Sequence, residues 1–232
     1  MTSKEYVIES TLTGRERVLS LPSLFTLFQD VASTSSEDIG FGRNVTLDAG
    51  LLWVVTRVNV EITRLPDFEE RVVLSSWPAS TMAFVYPRCA EMKDLSGNSL
   101  VKISSYWALI EDSTRKLILN PSLKCDPKYL GPMFPRPEKV KELPSHTVYS
   151  KKIRYSDVDM NHHLNNVRYI EALVDALPEG FFETHKVKSF LVNYDVEVKE
   201  GETLDVSLSD DFTYGLGSVN GERRFECNFV FD

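Results

Sequence analysis

One plan is written twice in this chain, and that duplication limits what it can fold into. In the first half, Leu21 to Ser36 puts Leu24, Leu27, Phe28 and Val31 on one helical stripe, with Pro22 suited to the first turn. In the second, Asn166 to Leu177 puts Val167, Ile170, Val174 and Leu177 on a similar stripe. Asn165 or Asn166 supplies its cap, and Pro178 follows its end. Matching strand-rich sequence comes after each helix. Val58-Asn59 aligns with Val192-Asn193, Ile62 with Val196, and Thr63 with Glu197. The first half continues through strands at Phe84 to Met92 and Leu100 to Glu111, joined at Ser96-Gly97-Asn98. The second ends at Gly217 to Phe229 around Asn220-Gly221, a strong hairpin signal. The expected class is α+β, with two tandem units, each an antiparallel sheet wrapped around one long central helix.

Six of the 11 prolines fall between Pro121 and Pro144, where fixed φ angles and missing N–H donors forbid a central strand or a continuous helix. The boundaries read as residues 1–120, a connector at 121–148 laid extended along the surface, and residues 149–232. A chain of 232 residues with 42% hydrophobic and 26% charged content can bury a sizeable core without disulfides. The three cysteines, Cys89, Cys125 and Cys227, form no metal-ligand pattern and read as free thiols of a reducing compartment. The N-terminus lacks the apolar core of a signal peptide, and no apolar run approaches the roughly 18 residues that span a bilayer. A cytoplasmic location is expected. The net charge of −8 argues against general nucleic-acid binding, although Lys151, Lys152 and Arg154 form one local basic patch.

Chemistry concentrates between Tyr155 and Tyr169, where two aspartates, three asparagines and two histidines share fifteen residues just before the second helix. Asp159, Asn161 and His163 alternate at i, i+2 and i+4. In extended or irregular backbone, that spacing brings a carboxylate, an amide and an imidazole toward one point, where together they can hold and polarise a water molecule. His162 and His163 do not make a metal site, because adjacent side chains diverge and no Cys, Asp or Glu set stands at ligand spacing. No metal or cofactor is expected. Nothing like this set precedes the first helix, so the first half reads as catalytically empty. Strand alternation places Asn193, Asp195 and Glu197 opposite Tyr194, Val196 and Val198.

These residues resemble the acyl-acyl carrier protein thioesterases, a double-hotdog family whose second repeat carries Asp-x-Asn-x-His and then Asn-Asn-Val-Lys/Arg-Tyr. Here that signature runs from Asp159 through Asn161 and His163 to Asn165-Asn166-Val167-Arg168-Tyr169. Gln29-Asp30-Val31-Ala32, Trp53 to Arg57, Ser76-Trp77-Pro78 and Tyr106 to Ile110 extend the likeness over almost the whole chain. The likeness is to a bacterial-type member. His162 stands where the family often has Gly or Gln, and Val198 where plant members have a cysteine once assigned as nucleophile. The resemblance implies hydrolysis of acyl-carrier thioesters by a water-based mechanism, with Asp159, Asn161, His163 and Glu197 as catalytic residues. Either Glu197 or Asp159 is the base, and N–H groups at the start of the second helix serve as oxyanion donors. The implied partner is an acyl carrier protein bearing a fatty acyl phosphopantetheine thioester. A homodimer is compatible with that plan. Phe28, Trp53, Phe84 and Trp107 are the candidate walls of an acyl tunnel. An acyl-CoA thioesterase of the same fold and a non-catalytic acyl-binding hotdog protein are the competing readings.

Overall fold

The computed structural model describes residues 1–119 and 125–232. The first long helix, α1 (Leu21–Asp38), starts where the Ser20 hydroxyl accepts the Ser23 N–H, and it buries Leu24, Phe25, Leu27, Phe28 and Val31. A short helix α2 (Arg43–Asp48) follows. The second long helix, α3 (Asn166–Ala176), is capped by Asn165, whose Oδ1 accepts the Val167 N–H at 2.9 Å. It stops just before Pro178, which cannot continue a helix. One turn, α4 (Phe181–Thr184), comes next.

In chain order the strands are β1 (Thr2–Val7), β2 (Leu51–Ile62), β3 (Arg71–Pro78), β4 (Tyr86–Asp94), β5 (Ser99–Glu111), β6 (His146–Lys152), β7 (Val187–Tyr194), β8 (Thr203–Leu208), β9 (Tyr214–Val219) and β10 (Glu222–Phe231). They form one antiparallel sheet in the order β1-β3-β4-β5-β2-β7-β10-β9-β8-β6. Counting outward from its centre, the two arms follow the same sequence of strands, so the duplication becomes a pseudo-twofold axis between β2 and β7. Across that seam Arg57 pairs with Asn193, and its Nε donates to Asn193 Oδ1 at 3.1 Å. The β9–β10 turn places Asn220 at φ 51° and Gly221 at φ 79°, the left-handed pair that a tight two-residue hairpin requires. The halves share one apolar core. Phe25 of α1 meets Phe190 of β7 edge-to-face at 5.7 Å, and Ile170 and Leu173 of α3 belong to the same cluster.

The proline-rich connector is more than a surface spacer. Its first residues, Pro121 included, lie outside the described residues. From Gly131 onward it is strapped to the sheet face turned away from the helices. Trp77 Nε1 donates to the Pro132 carbonyl at 2.7 Å, Ser104 Oγ to the Pro135 carbonyl at 2.8 Å, and Asn228 exchanges two hydrogen bonds with Lys141. Proline offers an acceptor and no donor, and side chains of β3 and β5 use those acceptors. The strap runs from the first half to β10 of the second.

Candidate active site

Residues 158–164 form a tight loop closed by a Val158–Leu164 bridge. The Asp159 N–H donates to the His163 carbonyl at 2.9 Å, and the His162 N–H to the Asp159 carbonyl at 3.0 Å. His162 takes a left-handed φ of 65° and stays exposed, so its ring stands apart from that of His163. Inside the loop the Asp159 carboxylate accepts the Asn161 N–H at 2.7 Å. Asp157 braces the entry turn: it accepts the Arg154 N–H at 2.9 Å and pairs with Lys151 at 2.9 Å. Burial pushes the Asp157 carboxyl up, but the Arg154 N–H and the Lys151 ammonium outweigh it and leave the pKa below the ordinary carboxylate value. Lys152 donates to the Gly201 carbonyl. Two of the three residues of the expected basic patch are thus engaged locally.

The fourth residue arrives by a different route from the one the sequence suggests. β7 ends at Tyr194 and the chain bends at Val196, which is 50% exposed, so Glu197 does not sit on a strand and the predicted alternation fails. Backbone pairing then carries Glu197 to the loop. The Leu164 N–H donates to the Val198 carbonyl at 2.7 Å, and the Val198 N–H donates to the Tyr169 hydroxyl of α3 at 3.1 Å. In the first half the matching bond runs from Leu19 N–H to the Pro66 carbonyl. The structural counterpart of Glu197 is therefore Leu65, not Thr63, because β2 runs further than β7 before its bend.

His163 lies between the two carboxylates. Its Nε2 is 3.6 Å from Glu197 Oε1, its Nδ1 is 4.0 Å from Asp159 Oδ1, and Nδ1 also lies 3.3 Å from the Leu164 carbonyl. Glu197 Oε1 is buried without a hydrogen-bond partner among the described residues. Two arginines from the first half complete the group, and sequence reading missed both. Arg43 Nη1 donates to Asn161 Oδ1 at 3.0 Å; Arg115 Nη2 donates to the Asn161 carbonyl at 3.3 Å, and its Nη1 lies 3.6 Å from Glu197 Oε1. The first half is thus not empty at this site. Arg43 and Arg115 lie far from the motif in sequence, and no local pattern announces them. The N–H groups expected to bind an oxyanion are partly committed: Val167 N–H goes to Asn165 Oδ1 and Arg168 N–H to the Asn165 carbonyl. Among the described residues no group of three or more His, Cys, Asp or Glu side chains stands at metal-binding separations.

A cavity of about 270 Å³ is lined by Met160 and Asn161 of the loop and by residues of α1 and the first-half strands. Trp53 and Trp107 line it, with Gln29, Ser36, Tyr86 and Arg88. Phe28 does not; it is buried behind Trp107, with ring centroids 6.5 Å apart. Phe84 occupies the turn between Met82 and Val85, away from the lining. Arg88 is only 7% exposed and bonds to the Ser76 and Ser36 hydroxyls, and burial pushes its pKa down to about 10.

The family model described as the acyl-ACP thioesterase N-terminal domain matches residues 1–120, and that of the C-terminal domain matches residues 140–231. The chain belongs to the acyl-ACP thioesterase family. Among curated relatives, the oleoyl-acyl carrier protein thioesterase 1 of Arabidopsis thaliana is 24% identical over 94% of this chain and 66% of its own length. An acyl-[acyl-carrier-protein] hydrolase of Cuphea viscosissima is 26% identical over 87% of this chain and 53% of its own. The chain thus spans between about half and two thirds of these relatives, both chloroplastic by name. The crystal structure of an acyl-ACP thioesterase from Bacteroides thetaiotaomicron superposes with a TM-score of 0.89 at 23% identity, covering 99% of this chain and 97% of that one. The 12:0-ACP thioesterase of Umbellularia californica gives 0.88 at 21% identity, covering 99% and 96%. The fold of this family member is the paired hotdog.

Proposed function

We propose that this protein hydrolyses the thioester linking a fatty acyl group to the phosphopantetheine arm of an acyl carrier protein, releasing free fatty acid and holo-carrier and so ending fatty acid synthesis. The observation that carries this reading is the double membership of Asn161, which belongs both to the polar cluster and to the lining of the cavity. An acyl chain lying between Trp53 and Trp107 brings its carbonyl carbon to that cluster.

In this reading Glu197 is the general base. Its Oε1 makes no hydrogen bond among the described residues, whereas Asp159 Oδ1 is occupied by the Asn161 N–H. Glu197 takes a proton from water, the water oxygen attacks the carbonyl carbon, and the amide of Asn161 donates to the developing oxyanion. His163 faces Glu197 through Nε2 and passes the proton to the departing sulfur as the C–S bond breaks. Asp159 is then a positioning group that sets the loop. Water is the only co-reactant in the reaction so written. The partner is the carrier protein, and the setting is the cytoplasm, a placement that rests on the sequence reading.

The test is thiol release from carrier-bound and CoA-bound acyl thioesters of graded length, using the wild type and Asp159→Ala, Asn161→Ala, His163→Ala and Glu197→Ala. Loss of an essential group lowers kcat by about two to four orders of magnitude. Four variants near full activity would place the site elsewhere, and a large preference for CoA would replace the carrier as substrate.

A further inference from the structure

We propose that Arg43 and Arg115, both supplied by the first half, are positioning residues that lock Asn161 with its amide nitrogen turned toward the substrate carbonyl; this rests on the thioesterase reading above. A guanidinium carries only donors, so Arg43 Nη1, 3.0 Å from Asn161 Oδ1, decides which end of the amide faces it. The Nδ2 group, with two donors, then points the other way. The backbone of Asn161 is pinned on both sides. Its N–H goes to Asp159 Oδ1 at 2.7 Å, and its carbonyl accepts from Arg115 at 3.3 Å. Three of its four polar groups are committed within the protein, and the fourth is the one an oxyanion needs. Arg115 also stands 3.6 Å from Glu197 Oε1, which has no hydrogen bond among the described residues, so one cation faces both the amide residue and the carboxylate.

Both arginines are placed by specific local structure. The Glu37 carboxylate accepts the Arg43 N–H at 2.8 Å, and this close approach needs Gly42, where an added Cβ would sit 1.8 Å from Glu37 Oε2. Arg115 occupies the turn after β5 with a left-handed φ of 58°, held by its N–H bond to the Glu111 carbonyl at 2.8 Å. The inference gives the first half a role in the chemistry: a second-half loop alone would carry Asn161 with its amide free to rotate.

The experiment is a double-mutant cycle on kcat for thiol release, combining Arg43→Met and Arg115→Met with Asn161→Ala, with each variant checked for an unchanged Tm. Each arginine change alone is expected to lower kcat by about tenfold or more; Arg43→Met should cost almost nothing further once Asn161 is alanine, because residues acting through one group are not additive, whereas Arg115→Met should keep the part of its cost that runs through Glu197. Arg43→Lys, which keeps a donor, should recover part of the loss. Asn161→Asp keeps an acceptor for Arg43 but has no donor, and should be as slow as Asn161→Ala. Full additivity, or an Asn161→Asp variant near wild-type rate, overturns the lock while leaving the hydrolase reading intact. A wild type that releases no thiol from carrier or CoA substrates overturns both.

Discussion

Two loops in this molecule share one backbone and differ in nearly every side chain that matters. In the first half, residues 13–19 close with a Thr13–Leu19 bridge; in the second, residues 158–164 close with Val158–Leu164. Gly14 N–H to Val18 carbonyl, 3.0 Å, matches Asp159 N–H to His163 carbonyl, 2.9 Å. Arg17 takes φ 57° where His162 takes φ 65°. Leu19 N–H reaches the Pro66 carbonyl at 2.9 Å, as Leu164 N–H reaches Val198 at 2.7 Å. Yet Gly14, Glu16, Val18 and Leu65 stand where the second half has Asp159, Asn161, His163 and Glu197. The loop is thus a structural requirement of leading a strand into the central helix of each hotdog. In the proposed reading, the chemistry is laid on one copy of it by those side chains.

Copying the first loop onto the second should break activity while sparing the fold. Glu197→Leu imitates Leu65 and should lower kcat for thiol release by about two to four orders of magnitude. It also removes an oxygen that has no hydrogen bond among the described residues but faces Arg115 and His163 at 3.6 Å, so stability in urea should fall by no more than about 1 kcal/mol. The reverse change, Leu65→Glu, puts a carboxylate where an apolar side chain packs against the core; it should cost about 1–3 kcal/mol in urea unfolding and confer no new activity.

The helix caps offer a more even comparison. Ser20→Ala and Asn165→Ala each remove a side-chain acceptor at the first turn of a long helix, and each should cost about 1 kcal/mol. If only Asn165→Ala also slows catalysis, the second cap has a duty beyond stability.

The smallest effect concerns pH. Asp157 and Leu12 are counterparts, since their carbonyls accept the N–H of Asn165 and Ser20. The folded-state pKa of Asp157 is depressed, so the folded protein holds this proton less readily than the unfolded chain. Its contribution is therefore present above the unfolded value of about 4 and is lost as pH falls through the folded value. The Tm advantage of wild type over Asp157→Asn should be largest near neutrality and shrink in acid. A constant gap would show that the carboxylate adds nothing through its charge.

Much of this architecture was legible in sequence because it is local. Apolar stripes marked α1 and α3, Asn165 stood at the right distance to cap, and Asn220-Gly221 specified its hairpin. The density of Asp, Asn and His marked one loop of the pair. What escaped depends on contacts between distant segments. Glu197 leaves the predicted alternation because the chain bends at Val196, and a bend has no periodicity to read. Arg43 and Arg115 reach Asn161 only after the two halves join through β2 and β7. Phe28 and Phe84 had the right chemistry for a tunnel wall, but composition does not reveal that one packs behind Trp107 and the other occupies a turn.

The central claim is that side chains on the second loop, and not the loop itself, carry the proposed hydrolysis. Its most direct test is a chain in which residues 159–163 are replaced by the first-half sequence Gly-Arg-Glu-Arg-Val, assayed for thiol release from an acyl-carrier substrate alongside the wild type. Since the two loops share a backbone, the account predicts a Tm within a few degrees of wild type and a kcat at least about a thousandfold lower. A folded loop-exchange variant that releases thiol at a rate within tenfold of wild type would contradict it.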